Sequence, residues 1–225
     1  MFKAYISSSI GKKQIVAVTG LMMVGFLIAH LSGNLLMFKG PDAINTYAEM
    51  LHSLGGLLWV ARIGLILAFL GHFSFTVALV IQNKRARGGR YSMDINPKTR
   101  SLSTRLMPYT GLILLVYVIV HLIDFTFTSA SQNNAIVNGE FLGLYGLMYN
   151  HFAKPLASLF YIIAMAAVGF HLTHGIQSVM QTYGFNHPVY SPLIKKGSVA
   201  LGCLIAFGFS SIPIYVLVRS FFGLS

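Results

Sequence analysis

The fold class follows from one stretch, Leu156–Met180, which reads LASLFYIIAMAAVGFHLTHGIQSVM. It contains no Lys, Arg, Asp or Glu, and it exceeds the about 20 apolar residues that an α-helix needs to cross the hydrocarbon core of a bilayer. Two histidines, His171 and His174, lie within it. The stretch therefore predicts a membrane-spanning helix that carries ionisable side chains at membrane depth.

Four other segments have the same length and apolar character. They are Ile15–Met37, Leu57–Ile81, Leu106–Phe127 and Val199–Phe221. Together with Leu156–Met180 they predict an all-α polytopic membrane protein with five transmembrane helices. The loops between them are short, so we expect residues 1–225 to form a single integral membrane domain.

The composition excludes other protein classes. Of 225 residues, 55% are hydrophobic and 9% are charged, against about 25% charged in an average soluble domain. The mean hydropathy is +0.70. These values exclude a soluble globular protein. The single cysteine, Cys203, excludes a disulfide or a cysteine-ligated iron–sulfur cluster built from this chain alone.

The net charge of +11 predicts the orientation of the chain rather than a nucleic-acid partner. Twelve of the sixteen basic residues lie on the side of the N-terminus and of the loops Asn83–Thr104 and Tyr183–Lys196. By the positive-inside rule these segments face the cytoplasm, where they meet anionic lipid headgroups. The basic residues of the outer side are then Lys39, Arg62, Lys154 and Arg219.

The histidines inside the spans are the main functional signal, because an ionisable group at membrane depth is costly. His30 and His121 each lie about 22 Å from the predicted cytoplasmic end of their segments, at about 1.5 Å per residue. His72 and His171 each lie about 14 Å from theirs by the same rise. His174 lies at about 9 Å and matches His72 less well. Four helices therefore present two pairs of histidines at two levels.

Two such pairs provide the axial ligands for two haems stacked across a membrane. Neutral imidazole is a good ligand for haem iron, and two per iron leave no open coordination position, which suits electron transfer. Four unrelated polar contacts between helices are the alternative interpretation. A zinc site is disfavoured because no carboxylate or cysteine lies close enough in sequence to complete a tetrahedral shell. The glycines that would leave room for a macrocycle are Gly25, Gly33, Gly71, Gly111, Gly169 and Gly175.

The motifs around these histidines resemble a known family. They are His30-Leu-Ser-Gly-Asn34, His72, His121 and His171-Leu-Thr-His-Gly175, followed by Tyr183-Gly184. In this order and at these depths, they resemble the five-helix, two-haem cytochrome b membrane anchor of succinate dehydrogenases and fumarate reductases, the succinate:quinone oxidoreductases. The resemblance extends over nearly the whole chain.

The resemblance implies that His72 and His171 bind the haem b nearer the cytoplasm, and that His30 and His121 bind the outer haem b. It implies respiratory electron transport between a flavoprotein subunit, an iron–sulfur subunit, the two haems and a quinone, which in anchors of this type is menaquinone. The complex would lie in the cytoplasmic (inner) membrane of a prokaryote. The chain has no dinucleotide motif and too few cysteines for clusters, so flavin and iron–sulfur chemistry must reside on the partners. We expect the basic loop Asn83–Thr104 to contact the iron–sulfur subunit as well as lipid.

One position departs from the pattern. Some fumarate-reducing relatives carry a glutamate two residues before the fourth ligand, where it is thought to carry protons, and this chain has Gly169 there. The departure weakens the case for transmembrane proton transfer and favours succinate oxidation.

The expected quinone site lies on the outer side. Glu49 and His52, three residues apart on one predicted helical face, are the candidates for proton transfer to the quinone, with Asp124 as a third. Lys39 and Arg62 are candidates to pair with haem propionates, and His174 is a candidate for the surroundings of the inner haem. A solvated face of a short interfacial helix is the alternative for Glu49 and His52.

Two other functions remain open. A two-haem cytochrome b of a hydrogenase or formate dehydrogenase would have the same histidines but different soluble partners. A haem-free transporter would use the histidines as proton relays and would be expected to show inverted repeats or broken helices, which the sequence does not show.

Overall fold

The computed structural model describes residues 2–86 and 102–223. The helices within these ranges are α1 (Phe2–Ser7), α2 (Ser9–Asn34), α3 (Pro41–Ser53), α4 (Gly56–Ala86), α5 (Leu102–Phe125), α6 (Gly143–Phe152), α7 (Pro155–Thr182) and α8 (Ser191–Phe221). A short 3₁₀ helix, Leu35–Lys39, links α2 to α3. Two strands, β1 (Ile136–Val137) and β2 (Glu140–Phe141), pair antiparallel.

The prediction of five apolar helices is confirmed. Among the described residues α2, α4, α5, α7 and α8 are long and apolar enough to cross a membrane. Their ends differ from the predicted ones, because hydropathy marks the apolar middle of a helix and capping groups mark its ends. The side chain of Ser8, for example, accepts a hydrogen bond from the backbone N–H of Gly11 at 3.0 Å and starts α2 well before Ile15.

The small hairpin is a departure from an all-helical chain. Asn138 and Gly139 both have positive φ, 52° and 86°, and an Asn-Gly pair of this kind forms the two-residue turn that suits a β-hairpin. The side chain of Asn45 links α3 to the start of α6, because its Nδ2 donates to the carbonyl of Leu142 at 3.0 Å. The short 3₁₀ helix, α3, the hairpin and α6 together form what we call the capped end of the bundle.

The packing leaves much of the apolar surface facing outward, as a membrane protein requires. α7 packs along α8 and along α5, while α2 packs along α4 and α7. One buried cluster lies mid-bundle and includes Leu31, Met165 and Ile205. A second lies at the capped end, with Met37 and Phe152. α4 and α5 expose most of their large apolar side chains, which in a bilayer would face lipid.

The two predicted cytoplasmic loops differ in how far they are described. Of Asn83–Thr104, residues 87–101 lie outside the described residues, so the predicted contact with an iron–sulfur subunit does too. Of Tyr183–Lys196, the part from Ser191 onward is the first turns of α8.

Candidate functional site

The inner pair of histidines comes together between α4 and α7. The ring centroids of His72 and His171 lie 6.4 Å apart. His72 is held by α2, the neighbour of its own helix: its Nδ1 lies 3.1 Å from the carbonyl oxygen of Val16 and 3.3 Å from the hydroxyl oxygen of Thr19. Because a carbonyl only accepts, Nδ1 of His72 carries the proton.

His171 is held in the same way by α5, the neighbour of α7. Its Nδ1 lies 3.2 Å from the hydroxyl oxygen of Thr110, a buried residue. Thr110 already donates its hydrogen to the carbonyl of Met107 at 3.0 Å, so it accepts from Nδ1 of His171. Both inner imidazoles therefore carry their proton on Nδ1, and Nε2 keeps the lone pair with which a neutral imidazole binds a metal.

The outer pair lies nearer the capped end. The ring centroids of His30 on α2 and His121 on α5 lie 5.8 Å apart, with the planes at 82°. Nδ1 of His121 is buried and has no hydrogen-bond partner among the described residues. A buried polar atom without a partner is costly, so Nδ1 of His121 is available to a ligand. Nε2 of His151 and the hydroxyl oxygen of Thr76 are buried without a hydrogen-bond partner in the same way.

A cavity of about 230 Å³ opens beside the outer pair, and we call it the outer cavity. His30 and His121 line it together with residues from α2, α3, α5, α6, α7 and α8. Its wall is mostly apolar and aromatic. The polar groups on it besides the histidines are Asn34, Tyr47, Tyr117, Thr126 and Tyr161. A largely apolar cavity with a few polar groups is the usual form of a site for an organic ligand.

The glycines divide into two groups. A Cβ on Gly111 would lie 3.7 Å from Cε1 of His171, and nothing lies within 4 Å of a Cβ on Gly25 or Gly175. By contrast, a Cβ on Gly33 would clash with the ring of Tyr47, and a Cβ on Gly169 would lie 3.1 Å from Cβ of Ala206 on α8. Gly169 is therefore a helix contact, and a glutamate at this position would force α7 and α8 apart.

A second polar cluster lies behind the wall of the outer cavity. The hydroxyl of Tyr161 donates to Oδ2 of Asp124 at 2.7 Å, and Nε2 of His151 lies 3.4 Å from the same oxygen. Burial lowers the pKa of His151, while Asp124 acts to raise it and Lys154 to lower it. The sequence analysis names Asp124 as a candidate for proton transfer, but nothing in the sequence marks His151 as a functional residue. His151 lies outside the membrane-spanning helices and meets Asp124 only because α6 packs over the end of the bundle.

Glu49 and His52 do not reach the outer cavity. The face of α3 that lines it consists of Ile44, Tyr47, Ala48 and Leu51. Glu49 and His52 are exposed, and Nδ1 of His52 lies 2.7 Å from the carbonyl oxygen of Ala48 one turn before it. The two side chains share a helix with the cavity wall but lie on another face of it.

The other predicted neighbours of the histidine pairs lie in three different environments. Lys39 is exposed in the 3₁₀ helix. The guanidinium of Arg62 lies over the ring of Trp59, 5.2 Å from its centroid, on a stretch of α4 with many exposed apolar side chains. His174 lies three residues after His171 on α7 and is half-buried.

Comparison with known proteins finds a relative of similar kind. The chain is 28% identical over 166 residues to the succinate dehydrogenase cytochrome b558 subunit of Bacillus subtilis (strain 168), a match that covers 73% of this chain and 75% of that protein. No family model matches the sequence, and no solved structure matches it. The matched region takes in most of the chain, and the resemblance to the cytochrome b anchors of succinate dehydrogenase is thereby confirmed.

Proposed function

We propose that this chain is the cytochrome b subunit that anchors a succinate:quinone oxidoreductase in the membrane and passes electrons from its soluble subunits to a quinone. The observation that carries the proposal is the pairing of four histidines from four membrane-spanning helices, His72 with His171 and His30 with His121. The similarity to a succinate dehydrogenase cytochrome b558 subunit supports it.

Each pair fits a haem b. The two imidazoles of each pair lie close enough that both could hold one haem, with ring centroids 6.4 Å apart at the inner pair and 5.8 Å apart at the outer pair. The protons on Nδ1 of His72 and His171 leave Nε2 for the iron. The buried Nδ1 of His121 has no partner among the described residues, whereas both ring nitrogens of His30 lie 3.4 Å from Nδ2 of Asn34.

A haem held by two imidazoles supplies one-electron transfer without an open coordination position. The residues around each pair orient the imidazoles and leave space beside them. Val16, Thr19 and Thr110 fix the orientation of the inner imidazoles, and bonds of this kind also raise the basicity of the ligand. Gly20 and Gly111 leave space beside the same rings.

The outer cavity is the proposed place of the outer haem, because both His30 and His121 line it. The quinone is proposed to react beside that haem, on the outer side, where it is close to the last electron carrier. Menaquinone remains the proposed species, and Glu49 and His52 are too exposed to contact it directly.

The proposed complex has a flavoprotein subunit that oxidises succinate and an iron–sulfur subunit, both on the cytoplasmic side of a prokaryotic inner membrane. The chain brings lipid contact through the exposed faces of α4 and α5. The close contact of Gly169 with α8 leaves no room for a proton-carrying side chain there, which favours succinate oxidation without transmembrane proton transfer through that position.

Haem quantitation on the purified complex tests this proposal. We expect two haems b per chain and co-purification with the flavoprotein and iron–sulfur subunits. His72→Ala and His171→Ala should each remove the inner haem, and His30→Ala and His121→Ala the outer one. His174→Ala should retain both. A complex without haem would contradict the proposal, and co-purification with a hydrogenase or formate dehydrogenase would replace the succinate chemistry with theirs.

A further inference from the structure

We propose that the carboxylate of Asp124, behind the wall of the outer cavity, lowers the redox potential of the haem held by His30 and His121. The inference rests on the proposed outer haem, and it names a residue that acts on that haem through its charge and not as a ligand. It is carried by the position of Asp124, which lies one turn from His121 on α5 and is hydrogen-bonded to a side chain of the cavity wall.

Asp124 is unusual among the residues of the membrane-spanning helices. It is the single acidic residue in the five described helices of this kind, and it lies in the last turn of α5, three residues after His121. Side chains three positions apart on a helix are neighbours, with Cβ atoms about 5 to 6 Å apart. An ionisable group at such a depth is costly and is by default a candidate for function.

Tyr161 on α7 connects Asp124 to the outer pair. Its hydroxyl donates to Oδ2 of Asp124 at 2.7 Å, and its ring lines the outer cavity and lies 6.2 Å from that of His121 between centroids. The ring of Phe125, also on the cavity wall, lies 5.6 Å from that of His121. Aromatic rings packed in this way exclude water, and a charge acts more strongly through a medium of low dielectric constant than through water.

The groups around Asp124 leave its negative charge uncompensated. Nε2 of His151 lies 3.4 Å from Oδ2, but burial holds the pKa of His151 below its usual value, and a neutral imidazole does not cancel a negative charge. Lys154 is exposed, where water screens its charge. The side chain of Asp124 is itself 21% exposed, so its effect is reduced by solvent but not abolished.

The sign of the effect follows from the charge of the haem. The oxidised haem carries one more positive charge than the reduced haem, so a nearby carboxylate stabilises the oxidised form and lowers the midpoint potential. The inner pair provides a comparison within the same molecule. The groups that hold its imidazoles are a carbonyl and two hydroxyls, all uncharged, and the inner haem should not respond to a change at Asp124.

Redox titration of the purified complex at pH 8, above the ordinary pKa of histidine, tests the inference. Asp124→Asn keeps the shape of the side chain and removes its charge. It should retain both haems and shift the equilibrium of the outer haem about three- to tenfold toward the reduced form, which raises its midpoint potential by about 28 to 59 mV for one electron. The inner haem should keep its potential, and the His30→Ala complex, expected to retain the inner haem alone, assigns the two potentials. Asp124→Glu retains the charge and should lie closer to the unaltered complex than Asp124→Asn does.

Glu140→Gln on the hairpin is the matched control, because it removes one carboxylate from an exposed position and should shift neither potential. The inference is overturned if Asp124→Asn leaves the potential of the outer haem unchanged or lowers it, raises both potentials equally, or raises it no more than Asp124→Glu does, and the proposed function then stands. If Asp124→Asn does not assemble, Asp124→Ser is titrated against the same criteria. An unaltered complex without a haem bound by His30 and His121 would instead refute the proposed function on which the inference rests.

Discussion

Gly20 of α2 lies directly against the imidazole of His72 on α4: a Cβ added at Gly20 would stand 3.3 Å from Cε1 and 3.5 Å from Nδ1 of that ring. The same turn of α2 provides the carbonyl of Val16, which holds Nδ1. One helix thus both orients the imidazole of His72 and leaves space for it.

Gly20→Val should displace His72, because the contact at 3.3 Å is already tight for the first carbon of a side chain. We expect the inner haem to be lost or at least halved in occupancy while the outer haem remains, since outer-shell changes typically cost about 10- to 100-fold in metal affinity. Gly64→Val on α4 is the control, because nothing lies within 4 Å of a Cβ at that position and Gly64 is not among the glycines expected to leave room for a macrocycle. Equal haem loss in both variants would show that Gly20 has no special role. The measurement is haem content per chain with the reduced-minus-oxidised spectrum.

Thr110→Val tests the hydrogen bond to His171 at nearly constant volume. The variant removes the oxygen that accepts from Nδ1 and should leave the imidazole less basic and less firmly oriented. We expect the inner haem to remain bound with a changed midpoint potential, and the outer haem to be unaffected. Redox titration of the complex measures both potentials. Thr182→Val is the control, because the Thr182 hydroxyl bonds only within its own helix, to the carbonyl of Ser178. An unchanged potential in Thr110→Val would show that the hydrogen bond between Thr110 and His171 does not affect the inner haem.

The sequence was sufficient for the five apolar helices and for which histidines face one another, because hydropathy marks the spans and a constant rise per residue converts position into depth. It was not sufficient for the groups that hold the histidines. In the sequence Thr19 and Thr110 look like any other helical residues. They contact the histidines only because α2 packs beside α4 and α5 packs beside α7. The cap was missed for a related reason: Asn138-Gly139 is a recognisable turn signal, but nothing local indicates that α6 brings His151 to Asp124.

Glu49 and His52 show the limit of helical spacing as an argument. Their spacing predicts that they share a face, and both are indeed exposed on α3. Which face of α3 meets the bundle is decided by contacts that spacing does not contain, above all the fit of Tyr47 against Gly33. We therefore expect Glu49→Gln to reduce menadione, a soluble quinone, at close to the native rate, and a sharp loss of that rate would show that Glu49 takes part in the quinone reaction.

Gly169→Leu should destabilise the protein by separating α7 from α8. A Cβ at Gly169 would meet Cβ of Ala206 at 3.1 Å and the carbonyl oxygen of Gly202 at 3.2 Å, and overpacking of this kind typically costs about 1 to 3 kcal/mol. Gly197→Leu, at an exposed position of α8 where nothing lies within 4 Å, should cost much less. Thermal unfolding in one detergent, followed by the fraction of protein that stays monodisperse, measures the difference. Equal losses would mean that α7 and α8 can separate without cost at Gly169.

The stability of the capped end should fall on acidification because of His151. Burial holds the pKa of His151 below its usual value, so the unfolded segment binds more protons than the folded one as the pH passes below about 6.5, and stability is lost in that direction. Hydrogen exchange across Gly143–Phe152 should therefore speed up, after correction for the intrinsic pH dependence, between about pH 7.5 and about pH 5.5. His151→Gln should abolish most of this change, whereas His187→Gln, at an exposed histidine outside the cap, should not. If the corrected exchange of the native segment is independent of pH, His151 is not held in its neutral form by the fold.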